Sequence, residues 1–557
     1  MVIAITGIGI VSALGIGQSA NRKEFLEGHS HLSKPHYLPT LHSQWPIGEV
    51  PATNAELEAL LPVDRRQSFT SLSLSRNVLI GAVALQEALA DAAINDPSSL
   101  TLINGTTVGG MDTTETLYPL WREGEYTTLP NICVHRAFEN TAILAGLCGI
   151  NRHQTVSTAC SSALNAIITG AMMLRAGDCQ QVVVGGVDSM TRVHLNGFGS
   201  LGILSQQICK PFAPDRDGIN LGEGAAYLVI EDADLAHQRG AKIYGYIGGY
   251  SNDCDAYHQT ASSPEGEGAY QAMCHALAMA GVDRQQIAYV NAHGTATPNN
   301  DASEWRAFER VFGDKMPVIE STKPLTGHTT SASGSIEVYF SLLRMAEKNY
   351  DYAMSNAFGF GGNDSSILLS TQPVSLPLIS EVAIKETETQ TAGDVEGLID
   401  DKPFVSPMNA RRMTKMVRQL VAVATKALRA ADIETPDAIV LGTQWGSMVP
   451  SVAILEQMLD EHEQSMSPSL FMNAANNTMA GTVARLFHCQ GYNITVMGNE
   501  DSFARAQEHA RLLLRQGQYK SVLVCSFDEK ADGWQNLLEK AGCPASDIVN
   551  AQILCID

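Results

Sequence analysis

The residue with the clearest chemical potential in this 557-residue chain is Cys160, which lies in the segment TVSTACSSALNAIITGAMMLRAG, Thr155 to Gly177. A β-branched run precedes the cysteine, and small and apolar residues at helical spacing follow it, which predicts a strand that turns sharply into a helix. The thiol then lies at the helix N-terminus, where unpaired N–H groups and the helix dipole favour the thiolate. The alternative is that Cys160 is a buried small hydrophobe, as most free cysteines are.

Two histidines in Gly- and Thr-rich segments favour the nucleophile. His293 follows an apolar run in IAYVNAHGTATPNND, and His328 follows Lys323 in STKPLTGHTTSASG, ahead of a helical pattern. A lone histidine is more often a structural hydrogen-bonding residue than a catalytic one. Two of them, each at the end of a strand or loop among Gly and Thr, shift that balance towards a catalytic role.

The elements that must position these groups alternate between strands and helices. Helical spacing of apolar residues is found at 75–93 and 268–282, and strand patterns are found at 2–15, 101–111, 181–190 and 242–250. This alternation predicts an α/β architecture with a mostly parallel sheet that is covered on both faces.

Composition excludes several classes of protein. The length predicts two to four domains, and the formal charge of -22 argues against a nucleic-acid partner. The eleven cysteines form no CxxC pair, so neither a zinc site nor a disulfide framework is expected, and those inside apolar runs, such as Cys133, fit a reducing cytosol. The apolar N-terminus has no basic residues before it and reads as a strand, and no apolar stretch is long enough for a membrane span. We therefore expect a cytoplasmic protein with no metal.

The C-terminal part of the chain repeats the first part. ALADAAI at 88–94 matches ALRAADI at 427–433, 339 residues later, and RAGDCQQVVVGGVD at 175–188 matches RQGQYKSVLVCSFD at 515–528, 340 residues later. A near-constant offset indicates a duplication. The sequence thus predicts a first unit at 1–372, an acidic, Thr-rich linker at 373–402 and a partial copy at 403–557.

The partial copy lacks the groups that could do chemistry. At the offset of 340 residues, Cys160 falls on Glu500, and the copy ends before any equivalent of the two histidine segments. It also shows no first strand. We interpret it as an inactive half-domain whose uncovered helix layer must pack against the first unit or another chain. The alternative, Glu500 as a catalytic acid, is weaker, because carboxylates are common at helix N-termini.

Four segments of the first unit, VSTACSSALNA, NAHGTATPNND, STKPLTGH and NAFGFGG, resemble the signature segments of β-ketoacyl-acyl carrier protein synthases, the decarboxylating condensing enzymes of the thiolase fold. The resemblance covers residues 1 to about 372. It implies two similar halves stacked as α-β-α-β-α layers, and a dimer. It also implies that Cys160 takes an acyl group from a carrier protein and that His293 and His328 handle a malonyl thioester. Two His with a Lys resemble the elongating type of this family.

The same resemblance implies roles for further residues. Lys323 is the supporting lysine near the second histidine, and Glu304 orders this lysine's surroundings. Thr295 and Thr297 bind the phosphopantetheine arm of the carrier. Phe360 gates the acyl tunnel, and its backbone N–H completes an oxyanion hole with that of Cys160. The chain departs from the family pattern at TTSASG after His328 and at Asn363-Asp364.

The resemblance also implies partners. Arg65 and Arg66 resemble the family's docking segment for the acidic acyl carrier protein, and their charge stands out in an acidic chain. The half-domain resembles chain-length-factor relatives, in which the cysteine is replaced. A homodimer, or a heterodimer with another ketosynthase-like chain, is expected, without a nucleic-acid or membrane partner.

Three functions are compared on this basis. The first is the decarboxylative Claisen condensation of a Cys160-bound acyl group with malonyl-carrier protein, in fatty acid, polyketide or aryl polyene-type biosynthesis, with no cofactor beyond the carrier's phosphopantetheine. The second is a non-catalytic partner that sets chain length for another synthase, which the intact Cys160, His293 and His328 disfavour for the first unit. The third is a thiolase or thioesterase, but a thiolase needs a second cysteine that FGFGGND does not offer.

Overall fold

The computed structural model describes residues 1–66, 69, 73–395 and 413–556. In the first unit the strands are β1 (Ile3–Ser12), β2 (Gly15–Ile16), β3 (Thr101–Gly105), β4 (Arg152–Val156), β5 (Gln181–Asp188), β6 (Gly224–Asp232), β7 (Gly245–Cys254), β8 (Tyr289–Asn291), β9 (Val318–Glu320), β10 (Tyr352–Gly359) and β11 (Asn363–Ser370). Its described helices are α1 (Gln18–Glu27), α2 (Asn54–Ala59), α3 (Val63–Arg66), α4 (Arg76–Asp91), α5 (Met111–Arg122), α6 (Ala137–Leu147), α7 (Ser162–Ala176), α8 (Arg192–Ser200), α9 (Ala233–Gln238), α10 (Glu267–Ala280), α11 (Pro298–Phe312), α12 (Lys323–Thr326) and α13 (Ser333–Lys348).

These elements form two five-stranded sheets with helices between and outside them. One sheet has the order β1-β6-β5-β3-β4 and the other the order β7-β11-β10-β8-β9. Helices α7 and α13 lie between the sheets, α4 and α6 cover the first sheet, and α10 and α11 cover the second. The expected five-layer α-β-α-β-α fold is confirmed. The sheets are mixed, however, because the chain between β5 and β6 does not cross to the other end of the sheet, so these strands are antiparallel.

The central layer is buried because its sequence allows close packing on every side. Nearly all residues of α7 are buried, consistent with its small and apolar composition. A Cβ added at Gly334 of α13 would lie 2.7 Å from the backbone nitrogen of Leu164 in α7. The α7 helix ends at Gly177, whose φ of 75° is readily adopted by glycine.

The second part of the chain contributes six strands and six described helices. The strands are β12 (Lys385–Glu386), β13 (Gln390–Thr391), β14 (Ala438–Thr443), β15 (Asn493–Met497), β16 (Ser521–Asp528) and β17 (Ile548–Cys555). The helices are α14 (Lys415–Ala430), α15 (Met448–Asp460), α16 (Pro468–Ala474), α17 (Thr478–Leu486), α18 (Ser502–Arg515) and α19 (Asp532–Ala541). We call this part the half-domain.

The half-domain repeats the first sheet of the first unit. Its strands have the order β15-β14-β16-β17, and β12 and β13 pair with the outer edge of β17 as β1 pairs with β6. A buried carboxylate is repeated as well. Asp188 accepts hydrogen bonds from the Thr106 hydroxyl and the next two backbone N–H groups, and Asp528 does the same for Thr443.

The two copies meet edge to edge around a pseudo-two-fold axis. Strand β15 pairs antiparallel with β4, and Val496 lies opposite Val156, its own equivalent at the offset of 340 residues. Equivalent residues pair with each other in this way at a two-fold interface. The pairing joins the first sheet of the first unit to the sheet of the half-domain, and the largest hydrophobic core contains residues of both copies, including Leu164 and Leu513.

The start of the half-domain differs from the sequence-based prediction. The copy has a first strand, but it is broken into the short segments β12 and β13, which lie within the predicted linker at 373–402. Each segment forms only two residue pairs with β17, so neither produces a strand pattern in the polar sequence around it. The remainder of the predicted linker, 396–402, lies outside the described residues.

The helix layer of the half-domain is covered in two ways. The inner face of α18 packs on β14 and β16 and contacts α7. Its outer face, which has no second sheet to cover it, carries charge: Arg511 pairs with Glu386, and Arg515 pairs with Asp178 of the first unit. The expected packing on the first unit is thus observed, and polar residues replace the rest of the apolar layer.

One disulfide bond contradicts the expectation of free cysteines. Cys133 of the first unit is bonded to Cys543 of the half-domain, 410 residues later. Cysteine spacing could not predict this bond, because only the packing of the two copies brings these residues together. Among the described residues, we find no helix long and apolar enough to cross a membrane.

Candidate active site

Cys160 lies in a tight turn between β4 and α7. Ala159 has a φ of 51°, and the Ser161 and Ser162 N–H groups donate to carbonyl oxygens three residues earlier, which starts the helix two residues after the cysteine. The end of β10 lies against this turn, since a Cβ at Gly359 would be 2.5 Å from the Thr158 carbonyl oxygen. The predicted strand-to-helix turn is therefore present.

The protonation state of the thiol differs from the prediction. Burial raises the pKa of the Cys160 thiol to about 12, although the Lys323 charge and the backbone N–H groups of Phe360 and Cys160 itself lower it. Loss of hydration therefore outweighs the favourable field of the helix N-terminus. The resting site holds a thiol with donors aimed at its sulfur, ready to stabilise negative charge when a substrate supplies it.

Alkylation should reveal this raised pKa. Because only the thiolate reacts, a thiol with a pKa near 12 should react with iodoacetamide about tenfold faster for each pH unit from 7 to 10, without levelling off. An ordinary cysteine levels off above its pKa of about 8.5. Mass spectrometry of Cys160 over this range measures the rate, and a plateau near neutral pH would show a stabilised thiolate instead.

The two histidines meet beside the cysteine, as predicted. His293 and His328 are both buried, and their ring centroids are 5.3 Å apart at an interplanar angle of 82°. His328 Nδ1 shares a hydrogen bond of 2.8 Å with Ser333 Oγ, which leaves Nε2 available to a substrate. His293 Nδ1 is buried without a hydrogen-bond partner. Ser333 comes from the TTSASG departure, so this departure supplies the group that orients His328.

Burial keeps both imidazoles neutral, and the Lys323 charge adds to this effect. Burial lowers the pKa of His293 and of His328 well below the usual value, and the Lys323 charge lowers both further. Lys323 Nζ donates to the His293 carbonyl oxygen at 2.5 Å and lies 2.6 Å from the Glu337 carboxylate. Neutral imidazoles can donate N–H hydrogen bonds without releasing a proton as readily as imidazolium would.

The carboxylate that pairs with Lys323 is Glu337, which the sequence did not single out, whereas Glu304 was expected to order the surroundings of this lysine. Glu304 accepts hydrogen bonds from the backbone N–H groups of His293 and Gly294, at 2.9 and 2.8 Å. It therefore fixes the loop that carries His293, whose carbonyl oxygen accepts the hydrogen bond from Lys323. Glu337 was missed because nothing in the sequence of α13 distinguishes it from other helical glutamates.

Two cavities meet at Cys160. The entrance cavity, of about 470 Å³, contains His293, His328 and the two predicted pantetheine contacts. Thr295 and Thr297 lie there with their hydroxyl oxygens 2.8 Å apart. The inner cavity, of about 90 Å³, is apolar and extends from Cys160 past Val108.

Phe360 lies where the cavities join. It lines both of them, together with Cys160, Phe198, Gln259 and Gly361. Its ring stacks on Phe198 with centroids 5.8 Å apart. This location is consistent with the predicted gate.

The half-domain forms the far wall of the inner cavity, which the sequence did not predict. Eight of its residues line that cavity: Ser451, Ile454, Phe471, Met472, Ala474, Ala475, Asn477 and Thr478. Phe471 packs on the first unit, with its ring 5.3 Å from that of Phe198 and against Gly197. The residues lie in a seam between two copies, so only the pseudo-two-fold packing reveals them.

Three predicted residues lie away from this site. Arg65 and Arg66 are on α3, where Arg65 is exposed and Arg66 is 3.5 Å from Glu58. Neither lines the cavities at Cys160. Glu500 is exposed in the turn between β15 and α18, so its geometry offers no support for a catalytic acid.

Solved structures share this architecture. The chain aligns over its full length with 78% of the PfaC ketosynthase–chain length factor, at 15% identity and a TM-score of 0.79. The ishigamide ketosynthase/chain length factor aligns over 67% of this chain and 99% of its own, at 25% identity and a TM-score of 0.61. The ketosynthase ApeO in complex with its chain length factor ApeC from Xenorhabdus doucetiae covers 67% of this chain and 98% of its own, at 27% identity and a TM-score of 0.56.

Comparison of sequences also finds similarity to ketosynthases. The 3-oxoacyl-[acyl-carrier-protein] synthase 2 of Vibrio cholerae is 30% identical over 410 residues, which are 66% of this chain and 98% of the relative, and that of Staphylococcus aureus is 31% identical over 411 residues, which are 66% and 97%. Residues 1–236 and 384–547 match models of the β-ketoacyl synthase N-terminal domain, and residues 244–351 match the C-terminal domain. With the cysteine and both histidines in one buried site, the chain belongs to the β-ketoacyl synthase family.

Proposed function

We propose that this protein is an elongating 3-oxoacyl-[acyl-carrier-protein] synthase. The observation that carries the proposal is the meeting of the Cys160 thiol, two neutral imidazoles and the Phe360 N–H at the junction of two cavities. One cavity is apolar and suits an acyl chain, and the other is lined with hydroxyl and amide groups that suit a pantetheine arm.

The first step is acyl transfer. The Cys160 sulfur forms a bond to the acyl carbonyl carbon, the bond from that carbon to the carrier's pantetheine sulfur breaks, and the thiol proton leaves with the pantetheine thiol. The negative charge on the carbonyl oxygen is stabilised by the backbone N–H groups of Cys160 and Phe360. The positive charge of Lys323 and the α7 N-terminus stabilise the sulfur as its proton departs.

The second step is condensation. A malonyl thioester in the entrance cavity loses carbon dioxide, and the resulting enolate oxygen accepts hydrogen bonds from His293 and His328. The enolate carbon then attacks the acyl carbonyl on Cys160 and displaces the Cys160 sulfur, which regains a proton. Because both imidazoles are neutral, they stabilise the enolate without protonating it. We propose that no metal or redox cofactor takes part, since neither step needs an external electron acceptor.

Incubation with loaded carrier proteins tests the proposal. Acyl-carrier protein alone should add one acyl mass to the peptide that contains Cys160, and malonyl-carrier protein should then remove it as a 3-oxoacyl-carrier protein. Intact-protein and peptide mass spectrometry follow both events. Acylation without any condensed product would contradict the proposed synthase.

We further propose that the half-domain limits the length of the acyl chain. Glu500 stands at the position equivalent to Cys160, the half-domain has no equivalent of the segments that carry His293 and His328, and its contribution to the site is the far wall of the inner cavity. Ile454, Phe471 and Met472 are the large apolar side chains of that wall, and Phe471 lies against Gly197 and Phe198. A longer chain would have to displace them.

Phe471→Ala should lengthen the products. Removal of the ring extends the inner cavity into the seam, so the longest product should gain at least one two-carbon extension. Mass spectrometry of the carrier-bound products after repeated extension measures the shift. Phe487→Ala is the matched control, because Phe487 packs in the half-domain core and does not line the cavity. Identical product lengths for Phe471→Ala and the wild type would contradict the proposed wall.

We propose that the acidic carrier docks at Arg65 and Arg66. Changing both to glutamate should raise the apparent KM for the carrier at least several-fold at low salt, and the difference should shrink as salt screens the charges. Steady-state kinetics at two ionic strengths measures this. Lys520→Glu with Lys530→Glu, two exposed charges of the half-domain, is the matched control. An unchanged KM for the arginine variant at low salt would move the docking site elsewhere.

The proposed assembly follows from the pairing of strand β4. The outer edge of β4 is occupied by β15 of the same chain, so the half-domain takes the place of a partner subunit at this edge. We propose that any homodimer, or heterodimer with another ketosynthase-like chain, uses a different surface. We also propose a cytoplasmic location, where acyl-carrier proteins, which appear in the names of the relatives, would be available as substrates.

A further inference from the structure

The half-domain also contacts the loop that carries Phe360. Asn477 immediately precedes α17 and is 1% exposed. Its side-chain amide donates to the Phe360 carbonyl oxygen at 2.7 Å and to Asn363 Oδ1 at 3.1 Å. Both acceptors belong to the Gly-rich segment of the first unit, so one half-domain side chain holds two points of that loop.

The Asn477 side chain does not cap helix α17, although its position favours that role. An asparagine at the N-cap of a helix commonly accepts a hydrogen bond from a backbone N–H of the first turn. Here the Asn477 side chain makes no such bond, and its amide points to the loop of the first unit instead. The first turn of α17 lies directly on the loop, since a Cβ at Gly481 would be 2.7 Å from the Gly361 carbonyl oxygen.

A second connection reaches the same loop through Gln259. The Gly361 N–H donates to the Gln259 carbonyl oxygen at 2.8 Å. The Gln259 side-chain amide in turn donates to the Met472 carbonyl oxygen and to Asn473 Oδ1 in the half-domain, at 3.0 and 3.1 Å. The loop is therefore tied to the half-domain directly at Phe360 and Asn363, and through Gln259 at Gly361.

The two glycines after Phe360 give this loop conformational freedom. Gly361 and Gly362 have φ values of 90° and 85°, a region open to glycine and unfavourable for other residues, so the backbone there has more accessible conformations than other residues would allow. The Phe360 ring lies between the two cavities, and a shift of its backbone would change the passage between them. Such a shift must first break the bond from Asn477 to the Phe360 carbonyl.

We propose that Asn477 is a positioning residue through which the half-domain holds the Phe360 gate across the inner cavity. The inference rests on the proposed function only for the identity of the acyl chain, because access to the inner cavity can be measured without catalysis. An amide is needed for this role, since it donates to both acceptors. A carboxylate of the same shape would place an acceptor against two acceptors, and alanine would leave them without a donor.

Two alkylating probes test the gate. Iodoacetamide needs only to reach the Cys160 sulfur, whereas N-decyl iodoacetamide also carries an alkyl tail that suits the apolar inner cavity. Each forms a carbon–sulfur bond with loss of iodide, and the thiol proton goes to solvent. The ratio of the two rates at Cys160, measured by mass spectrometry, reports the passage between the cavities.

Asn477→Asp and Asn477→Ala should raise the ratio of decyl to unsubstituted probe rates at least fivefold, with the iodoacetamide rate itself within twofold of the wild type. The matched control is Asn499→Ala, which removes another hydrogen bond between the units, from Arg136 Nη1 to Asn499 Oδ1 at 3.0 Å, far along the chain from the gate loop. It should leave the ratio unchanged.

Two results would overturn the inference. An unchanged ratio in the isosteric Asn477→Asp variant would show that the amide does not hold the gate. An equal rise in Asn499→Ala would show that any loosening of the two units opens the cavity. The proposed function fails separately. If the Asn477 variants raised the ratio as expected but the wild-type protein did not condense carrier substrates, the proposed function would be refuted and the inference about the gate would stand.

Discussion

Cys160→Ala should abolish acyl transfer and leave malonyl decarboxylation in place. Alanine removes the nucleophilic sulfur, and no other described cysteine lines the inner cavity. The histidine pair, the Lys323–Glu337 ion pair and the entrance cavity do not depend on that sulfur. We expect the rate of self-acylation to fall by at least about 10³, in line with the loss of a covalent nucleophile.

The fold should survive this change. The site is built from the tight turn and the buried helix α7, and the substitution removes a single atom, so the free energy of unfolding should fall by only about 1 kcal/mol. Carrier-protein labelling, carbon dioxide release and thermal unfolding measure the three expectations. Cys148→Ala is the matched control, because Cys148 is equally buried in the outer core and lines neither cavity. Self-acylation of Cys160→Ala near the wild-type rate would mean that another group is the nucleophile.

The catalytic residues were predictable because the short sequence segments around them carry recognisable patterns. Cys160 lies between a strand pattern and a helix pattern, and each histidine lies in a short Gly- and Thr-rich segment. The repeat offset of 340 residues was also visible in the sequence, and it matches the pairing of Val156 with Val496 across the pseudo-two-fold axis. Residue types and spacing therefore specified the fold family and the central groups of the site.

The features that were missed all depend on tertiary contacts. Glu337 lies 14 residues after Lys323, and only the packing of α13 beneath the loop identifies it as the ion-pair partner. The bond between Cys133 and Cys543 and the Phe471 wall require the two copies to be in contact. The thiolate prediction was wrong for a related reason: the helix N-terminus is visible in the sequence, but the burial that raises the pKa of Cys160 is not.

His328→Ala should have the opposite effect to Cys160→Ala: malonyl decarboxylation should fall while self-acylation continues. The imidazole ring faces His293 at 5.3 Å, and its Nδ1 is engaged by Ser333, so Nε2 is the atom left to stabilise the enolate. Loss of one such preorganised donor typically costs about 10²–10³ in rate. The acyl-transfer step relies on the backbone N–H groups of Cys160 and Phe360, which this change does not remove.

Two further variants separate the donor from the shape of the ring. His328→Asn keeps a side-chain N–H and should recover part of the decarboxylation rate that alanine loses. Ser333→Ala should cost about tenfold, because it removes the bond that orients the imidazole but leaves the imidazole in place. Measurement of carbon dioxide release and of Cys160 acylation for each variant gives both half-reactions from one preparation. If His328→Ala reduced both half-reactions equally, His328 would also act on the thiol, and the division of labour between the backbone donors and the imidazole pair would be wrong.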